Sequence, residues 1–250
     1  MLDHFQVGET RVPAYGLIVI AGICICNFIA QCVVKKEKLR IDVFLILEVG
    51  GGLGAFVGAK LLSILSATMR GVSISPSWEV FDKAGYSYYG GLAGFFFANF
   101  VLQKIKKWDV SEYSRNLIFL IPLLHAIWKV GCFCGGCCFG VPCDGILSVV
   151  FPDGVNELSG IPVFPVQLLE AAIALGIACV LFILGKTEQL RNPVPAYLLL
   201  YGATRFATEF LRYHANGKLL SEGHANSLVC VILAIVFIIN QKDTEVKKNE

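Results

Sequence analysis

The stretch Pro193-Val-Pro-Ala-Tyr-Leu-Leu-Leu-Tyr-Gly-Ala-Thr-Arg-Phe-Ala-Thr-Glu-Phe-Leu-Arg-Tyr213 decides the fold. It has the length of a bilayer span, roughly 20 mostly apolar residues, yet it carries Arg205, Glu209 and Arg212. Ionisable groups at such depth cost on the order of 2.5–3.5 kcal/mol each on insertion scales, so they persist where they are paired and used. Glu209 follows Arg205 by four residues, one helical turn, which is the spacing of an ion pair on one helix face. Lys129, His125 and Glu170 stand in or beside two other apolar stretches. A membrane protein that binds or acts on a charged head group is the reading these charges support.

Composition agrees. Of the 250 residues 56% are hydrophobic, and the mean hydropathy of +0.67 is too high for a water-soluble globular domain. Seven stretches have spanning character: 12–34, 41–65, 86–102, 116–130, 163–184, 193–213 and 225–240. The expected fold is an all-α integral membrane protein of seven transmembrane helices. It forms a single membrane domain over 1–250, with a large outer loop, 131–161, between helices four and five. That loop contains Pro142 and Pro152 and is expected to hold short strands near 146–151. Met1 to Thr10 places Asp3 and Glu9 where a basic leader region would sit, so no signal peptide is expected.

Lys and Arg in short loops set orientation. The loops after spans one, three and five, with the C-terminal tail, hold thirteen basic residues, among them Lys35, Lys36, Lys104, Lys106, Lys186 and Arg191. The opposite side holds four: Arg11, Arg70, Lys83 and Lys218. The N-terminus is therefore expected outside and the C-terminus in the cytosol. In span two Gly50, Gly54 and Gly58 recur every fourth residue, which lets a neighbouring helix approach closely.

With that topology, counting at about 1.5 Å per residue along each helix brings the polar groups to one level. Lys60, Tyr89, Lys129, His125, Gln167, Glu170, Arg205, Glu209, Arg212 and His224 all fall in the outer half, with no comparable cluster in the inner half. A solute pathway would continue to the inner face, so a transporter is disfavoured. Arg and Lys suit a phosphate, the first by bidentate donation and the second as a point charge. Lys60 and Arg212 also fit a simpler role, reaching from a span end towards the interface.

Of ten cysteines, Cys24, Cys26, Cys32, Cys179 and Cys230 lie in spans as small apolar filler. Cys132, Cys134, Cys137, Cys138 and Cys143 crowd the start of the outer loop. Disulfides, free thiols, a metal and a catalytic thiol are the alternatives there, with the first two favoured and no metal assigned. Nothing in the sequence implies nucleic acid, a nucleotide or any cofactor.

Four segments, in order on the expected spans, resemble the bacterial prolipoprotein diacylglyceryl transferase family. Ser87-Tyr-Tyr-Gly-Gly-Leu92 resembles the family's S-F-H-G-G-L. Lys129-Val-Gly-Cys-Phe-Cys-Gly-Gly-Cys-Cys-Phe-Gly140 resembles R-I-G-N-F-I-N-G-E-L-W-G. Phe164-Pro-Val-Gln-Leu-Leu-Glu170 resembles H-P-S-Q-L-Y-E, and Tyr201-Gly-Ala-Thr-Arg-Phe-Ala-Thr-Glu-Phe-Leu-Arg212 resembles Y-G-x-x-R-F-x-x-E-F-x-R. Weaker similarities are Tyr15-Gly16, Gly58-Ala-Lys-Leu61 and Leu220-Ser-Glu-Gly-His224.

The resemblance implies transfer of the diacylglyceryl group of phosphatidylglycerol to the lipobox cysteine of a preprolipoprotein, forming a thioether and releasing glycerol phosphate. It implies an outer-leaflet phospholipid and a lipobox-containing preprolipoprotein as partners, in the bacterial plasma membrane. On this reading Arg205, Glu209, Tyr89 and His125 are the catalytic residues. Lys129, Arg205, Arg212, Gln167, Glu170, Tyr15, Gly90 and Gly91 bind substrate. Five departures from the pattern bear on the chemistry. Lys129 replaces the signature Arg and loses its fork, Cys132 replaces Asn, and Cys137 replaces Glu. Tyr89 replaces the His of H-G-G-L with a phenol of ordinary pKa about 10, and Phe164 replaces another His. His125 or His224 is the surrogate base these departures call for. A lipid transferase with a different acceptor and a non-catalytic lipid- or metal-binding protein are the competing functions.

Overall fold

The computed structural model describes residues 4–7, 10–69, 85–187, 192–214 and 220–249. An antiparallel hairpin, β1 (His4–Val7) and β2 (Thr10–Pro13), pairs His4 with Pro13 and leads into α1 (Ala14–Lys36). Then follow α2 (Ile41–Met69), α3 (Tyr88–Lys106), α4 (Ser111–Leu117), α5 (Leu120–Cys134), β3 (Val149–Val150), β4 (Pro162–Val163), α6 (Val166–Lys186), α7 (Val194–Glu209) and α8 (Glu222–Asn249). Each stretch expected to span contains a helix. Among the described residues, five segments are long and apolar enough to cross a membrane: Ala14–Lys36, Ile41–Met69, Ser111–Cys134, Val166–Lys186 and Glu222–Ile239. Helices α1 and α8 turn large apolar side chains outward, Ile20, Ile23 and Phe28 on one and Ile232, Ile235 and Phe237 on the other. Water would penalise such faces, whereas lipid is their natural solvent. The protein is thus a mostly helical membrane protein.

Residues fall into two compact units, Val34–Tyr113 and Met1–Val33 with Ser114–Glu250. In the first, α2 packs on α3 through glycine. A Cβ on Gly54 would run into the Gly94 carbonyl and Ala98, and one on Gly58 into the Gly90 carbonyl. Small residues let the two backbones touch, as the four-residue spacing led us to expect. Ser87 caps α3, its hydroxyl accepting from Gly90 N at 3.4 Å, while its own N–H donates to Ala59 O at 3.0 Å. Lys60 does not reach outward from α2. It is buried, donates to Gly85 O at 3.2 Å and stands 4.2 Å from the Tyr86 ring centre.

In the second unit α5 packs on α6 and α7 on α8. Gly202 makes the α7–α8 contact close, a Cβ there meeting Ser227 O at 2.9 Å. The fourth span is broken between α4 and α5. Pro122 has no N–H to give the Ile118 carbonyl, which accepts instead from Ile121 N at 3.1 Å, tightening the turn.

Two boundaries differ from expectation. Helix α5 runs on through Cys134 into what was read as loop, its end secured by Gly135 N donating to Gly131 O at 2.9 Å. Helix α7 stops at Glu209 rather than running to 213. There the backbone is captured by the outer loop: Val141 N donates to Leu211 O at 3.0 Å and Tyr213 N to Phe139 O at 3.1 Å. Arg212 therefore leaves the helix and pairs antiparallel with Gly140. The loop itself is ordered around Phe139, Phe151 and Val163; β3 falls in the expected strand region, but its partner β4, pairing Val163 with Val149, lies beyond it.

Candidate active site

Residues from three helices form a continuous run of ion pairs. Lys129, on the last turns of α5, meets Glu170 Oε2, one turn into α6. The other carboxylate oxygen, Oε1, lies 2.9 Å from Arg205 Nη1 on α7. Arg205 Nη2 then pairs with Glu209 Oε2 one turn on. Glu209 Oε2 is also 3.9 Å from Arg212, and its Oε1 is 3.6 Å from His214 Nε2. Lys129, Glu170, Arg205 and Glu209 are all buried, Glu209 only 3% exposed. Removing an ion from water costs several kcal/mol even after relaxation, so each charge depends on its neighbours. Lys129, Arg205 and Arg212, gathered by Glu170 and Glu209, are donors suited to a phosphate.

Beside this run lies a narrow crevice of about 20 Å³. His125, Glu170, Tyr201, Thr204, Arg205 and Thr208 line it, with apolar α6 side chains completing the wall. His125 is buried, its ring edge-to-face with Tyr201 at 5.5 Å between centres. Being four residues before Lys129, it occupies the same face of α5 one turn away. The Thr208 hydroxyl lies 3.4 Å from Arg205 Nη1 and helps fix the guanidinium.

Glu209 is held from the α8 side as well. The Ser221 hydroxyl donates to Glu209 Oε1 at 2.5 Å. A Cβ on Gly223 would overlap that carboxylate, so only glycine fits at this position. His224 is turned to other work. Its Nδ1 accepts from Ser221 N at 3.1 Å, and its ring packs 4.4 Å from Phe210 and 5.0 Å from Phe206, which makes it a support for the α8 start.

The outer loop opens with a tight cysteine turn. Gly136 (φ 64°) and Cys138 (φ 59°) both adopt the left-handed conformation, on either side of Cys137. Cys137 N donates to Cys132 O at 3.1 Å, and Gln167 Nε2 donates to Cys137 O at 2.9 Å. Hydrogen bonds from the Cys132 and Cys137 thiols, together with the charges of Arg212 and Lys129, hold the Cys138 thiol well below its ordinary range. Tyr15, at the start of α1, accepts a hydrogen bond from the Trp128 indole next to Lys129.

Of the residues singled out from sequence, Arg205, Glu209, Glu170, Lys129 and His125 come together around the crevice and its ion pairs. Gln167 serves the cysteine turn, and Arg212 joins Glu209 from a bridge rather than from the helix. Tyr89, Gly90 and Gly91 stand at the start of α3 in the other unit. Sequence reasoning did not single out Thr208, His214 or Ser221; only the proximity of Ser221 to the motif glycine and His224 hinted at it.

Comparison with known proteins identifies the family. The family model described as prolipoprotein diacylglyceryl transferase matches residues 3–240. The chain is 26% identical over 239 residues to the phosphatidylglycerol–prolipoprotein diacylglyceryl transferase of Clostridium tetani, covering 94% of this chain and 95% of that one. It is 25% identical over 240 residues to the second such enzyme of Clostridium perfringens, covering 92% and 91%. The corresponding Campylobacter hominis protein is 25% identical over 273 residues, covering 98% and 94%. The chain belongs to the prolipoprotein diacylglyceryl transferase family of transferases.

Proposed function

We propose that this protein transfers the diacylglyceryl group of phosphatidylglycerol to the lipobox cysteine of a preprolipoprotein. The thiolate sulfur forms a bond to the terminal glyceryl carbon of the lipid. The bond from that carbon to the phosphate ester oxygen breaks, and its electron pair leaves with glycerol phosphate. The thiol proton passes to a base or to the departing phosphate. Two requirements follow: a thiol of ordinary pKa about 8.5 must lose its proton, and charge growing on the phosphate must meet fixed cations.

The observation that carries this reading is the buried Lys129–Glu170–Arg205–Glu209 run of ion pairs, with Arg212 set against its Glu209 end. Arg205 and Lys129 bind the phosphate, with Arg212 assisting from the loop. Glu170 and Glu209 hold the cations in place, and His125 at the crevice takes the proton. Tyr15, Gln167, Tyr89, Gly90 and Gly91 bind or position substrate, as the motif positions they occupy imply. The arrangement works as one membrane domain of seven spans in a bacterial plasma membrane, N-terminus outside, with lipid arriving from the outer leaflet.

The test is incubation of the purified full-length protein with phosphatidylglycerol and a lipobox peptide, read by mass spectrometry. A peptide heavier by one diacylglyceryl unit, with glycerol phosphate released, is expected. Consumption of lipid without modified peptide would support the second reading, a different thiol acceptor. That alternative is favoured by the replacement of motif Asn and Glu with Cys132 and Cys137. Neither product would overturn both.

A further inference from the structure

We propose that Cys132, Cys137 and Cys138 form a binding site for one soft, thiophilic metal ion of the zinc(II) or copper(I) class. Their three sulfurs all lie within 4.8 Å of one another. An ion bound at a zinc–sulfur distance of about 2.3 Å would hold three sulfurs about 3.8–4.0 Å apart in tetrahedral or trigonal geometry. The trio thus needs to contract by less than about 1 Å, within reach of side-chain rotation. Thiolate-only donor sets select zinc, copper(I) and their heavier relatives over hard cations.

The backbone is shaped to this arrangement. Cys138 is one of three described non-glycine residues with positive φ, at 59°, a conformation such residues keep only where surroundings impose it. Those surroundings are explicit. Gly136 O accepts from Asn156 Nδ2 at 3.0 Å, and a Cβ at Gly136 would run into Val155. Cys137 O accepts from the fully buried Gln167, as ligand-bearing turns are commonly held by outer partners. Cys132 is fixed on the last turn of α5. A bound cation offsets the mutual repulsion of three thiolates. Cys134, at the end of α5, and Cys143, in the loop that follows, lie outside the trio. Metal binding here is read without turnover, so its test does not depend on the proposed transfer.

Cadmium(II) is the probe, added to reduced full-length protein in detergent. One equivalent should bind, with sulfur-to-cadmium charge-transfer absorption and a raised melting temperature. Cys132→Ser, Cys137→Ser and Cys138→Ser should each weaken binding at least tenfold, while Cys134→Ser and Cys143→Ser bind as wild type. X-ray absorption on the wild-type complex needs no variant to fold, and should count three sulfur neighbours. Two or fewer would overturn the site. So would absence of stoichiometric binding, equal loss in the Cys143→Ser variant, or a disulfide within the trio in protein extracted without air.

Discussion

Glu170 Oε1 sits 2.9 Å from Arg205 Nη1, and the same carboxylate also pairs with Lys129 through Oε2. One acid therefore holds two cations from two different helices. Neither cation can move onto a phosphate without loosening this grip, so substrate binding and the ion-pair run are coupled. In the proposed reaction the carboxylate holds both cations in place before the lipid arrives, which lowers the cost of organising them.

Arg205 is the centre of that arrangement, paired on both sides by Glu170 and Glu209. Arg205→Ala is expected to abolish transfer. Arg205→Lys keeps the charge but loses the planar fork, which a point charge does not replace at a bidentate site. Transfer should fall about 10²–10³-fold, the scale of losing one donor to developing charge. The peptide mass assay reads both, and full turnover by either variant would remove Arg205 from the site.

Removing the charge of Glu170 should expose the coupling directly. Glu170→Gln leaves Lys129 and Arg205 buried with one carboxylate fewer, a loss expected to cost about 3–5 kcal/mol of stability. Combining it with Lys129→Met should recover part of that loss, giving a coupling energy of about 0.5–3 kcal/mol. Unfolding in detergent of wild type, both single variants and the double variant measures it. Additive effects would mean the pair is not formed.

How much of this was readable from sequence varies by residue. The Arg205–Glu209 pair follows from four-residue spacing within one helix, and Gly54 and Gly58 announce close packing in the same way. Lys129 and Glu170 are on different helices, so their proximity could be placed only by level, while the actual contact depends on helix rotation that no local pattern encodes. Arg212 misled because its helical register with Arg205 and Glu209 is good. The segment instead pairs with Gly140, a long-range backbone contact invisible in its own sequence. His224 likewise reads as a base candidate, yet its ring is committed to Phe206 and Phe210. Lys60 reads as reaching the interface but folds back onto Gly85 O.

Gly140 tests the importance of that backbone pairing. A Cβ there would collide with the Phe164 carbonyl and sit 2.8 Å from Leu211 O, both backbone groups that side-chain motion cannot relieve. Gly140→Ala is expected to destabilise the protein by about 1–3 kcal/mol, the usual scale of overpacking. Because Arg212 is tied to this position, transfer should also fall while Arg205 and Lys129 remain intact. Melting curves and the peptide assay check the two effects. An unchanged melting temperature would mean the outer loop is not held to the end of α7 in this way.

His125 offers the sharpest separation between chemistry and packing. It lines the crevice with Arg205 and Glu170, one turn from Lys129, and contacts Tyr201 edge-to-face. As the base that receives the thiol proton it should contribute about 10²–10⁴-fold to turnover. His125→Gln preserves approximate size and polarity, so kcat should fall on that scale while KM for phosphatidylglycerol changes little. A purely structural His125 would behave differently. Its loss would lower the melting temperature through the Tyr201 contact and leave kcat close to wild type in the folded fraction. Raising the pH supplies a further discriminator, because a thiol that ionises without help has less need of a base. The deficit of His125→Gln should therefore narrow as pH rises towards the ordinary thiol pKa of about 8.5. A deficit that is constant with pH would exclude proton acceptance by His125, and turnover at the wild-type level would end its role altogether.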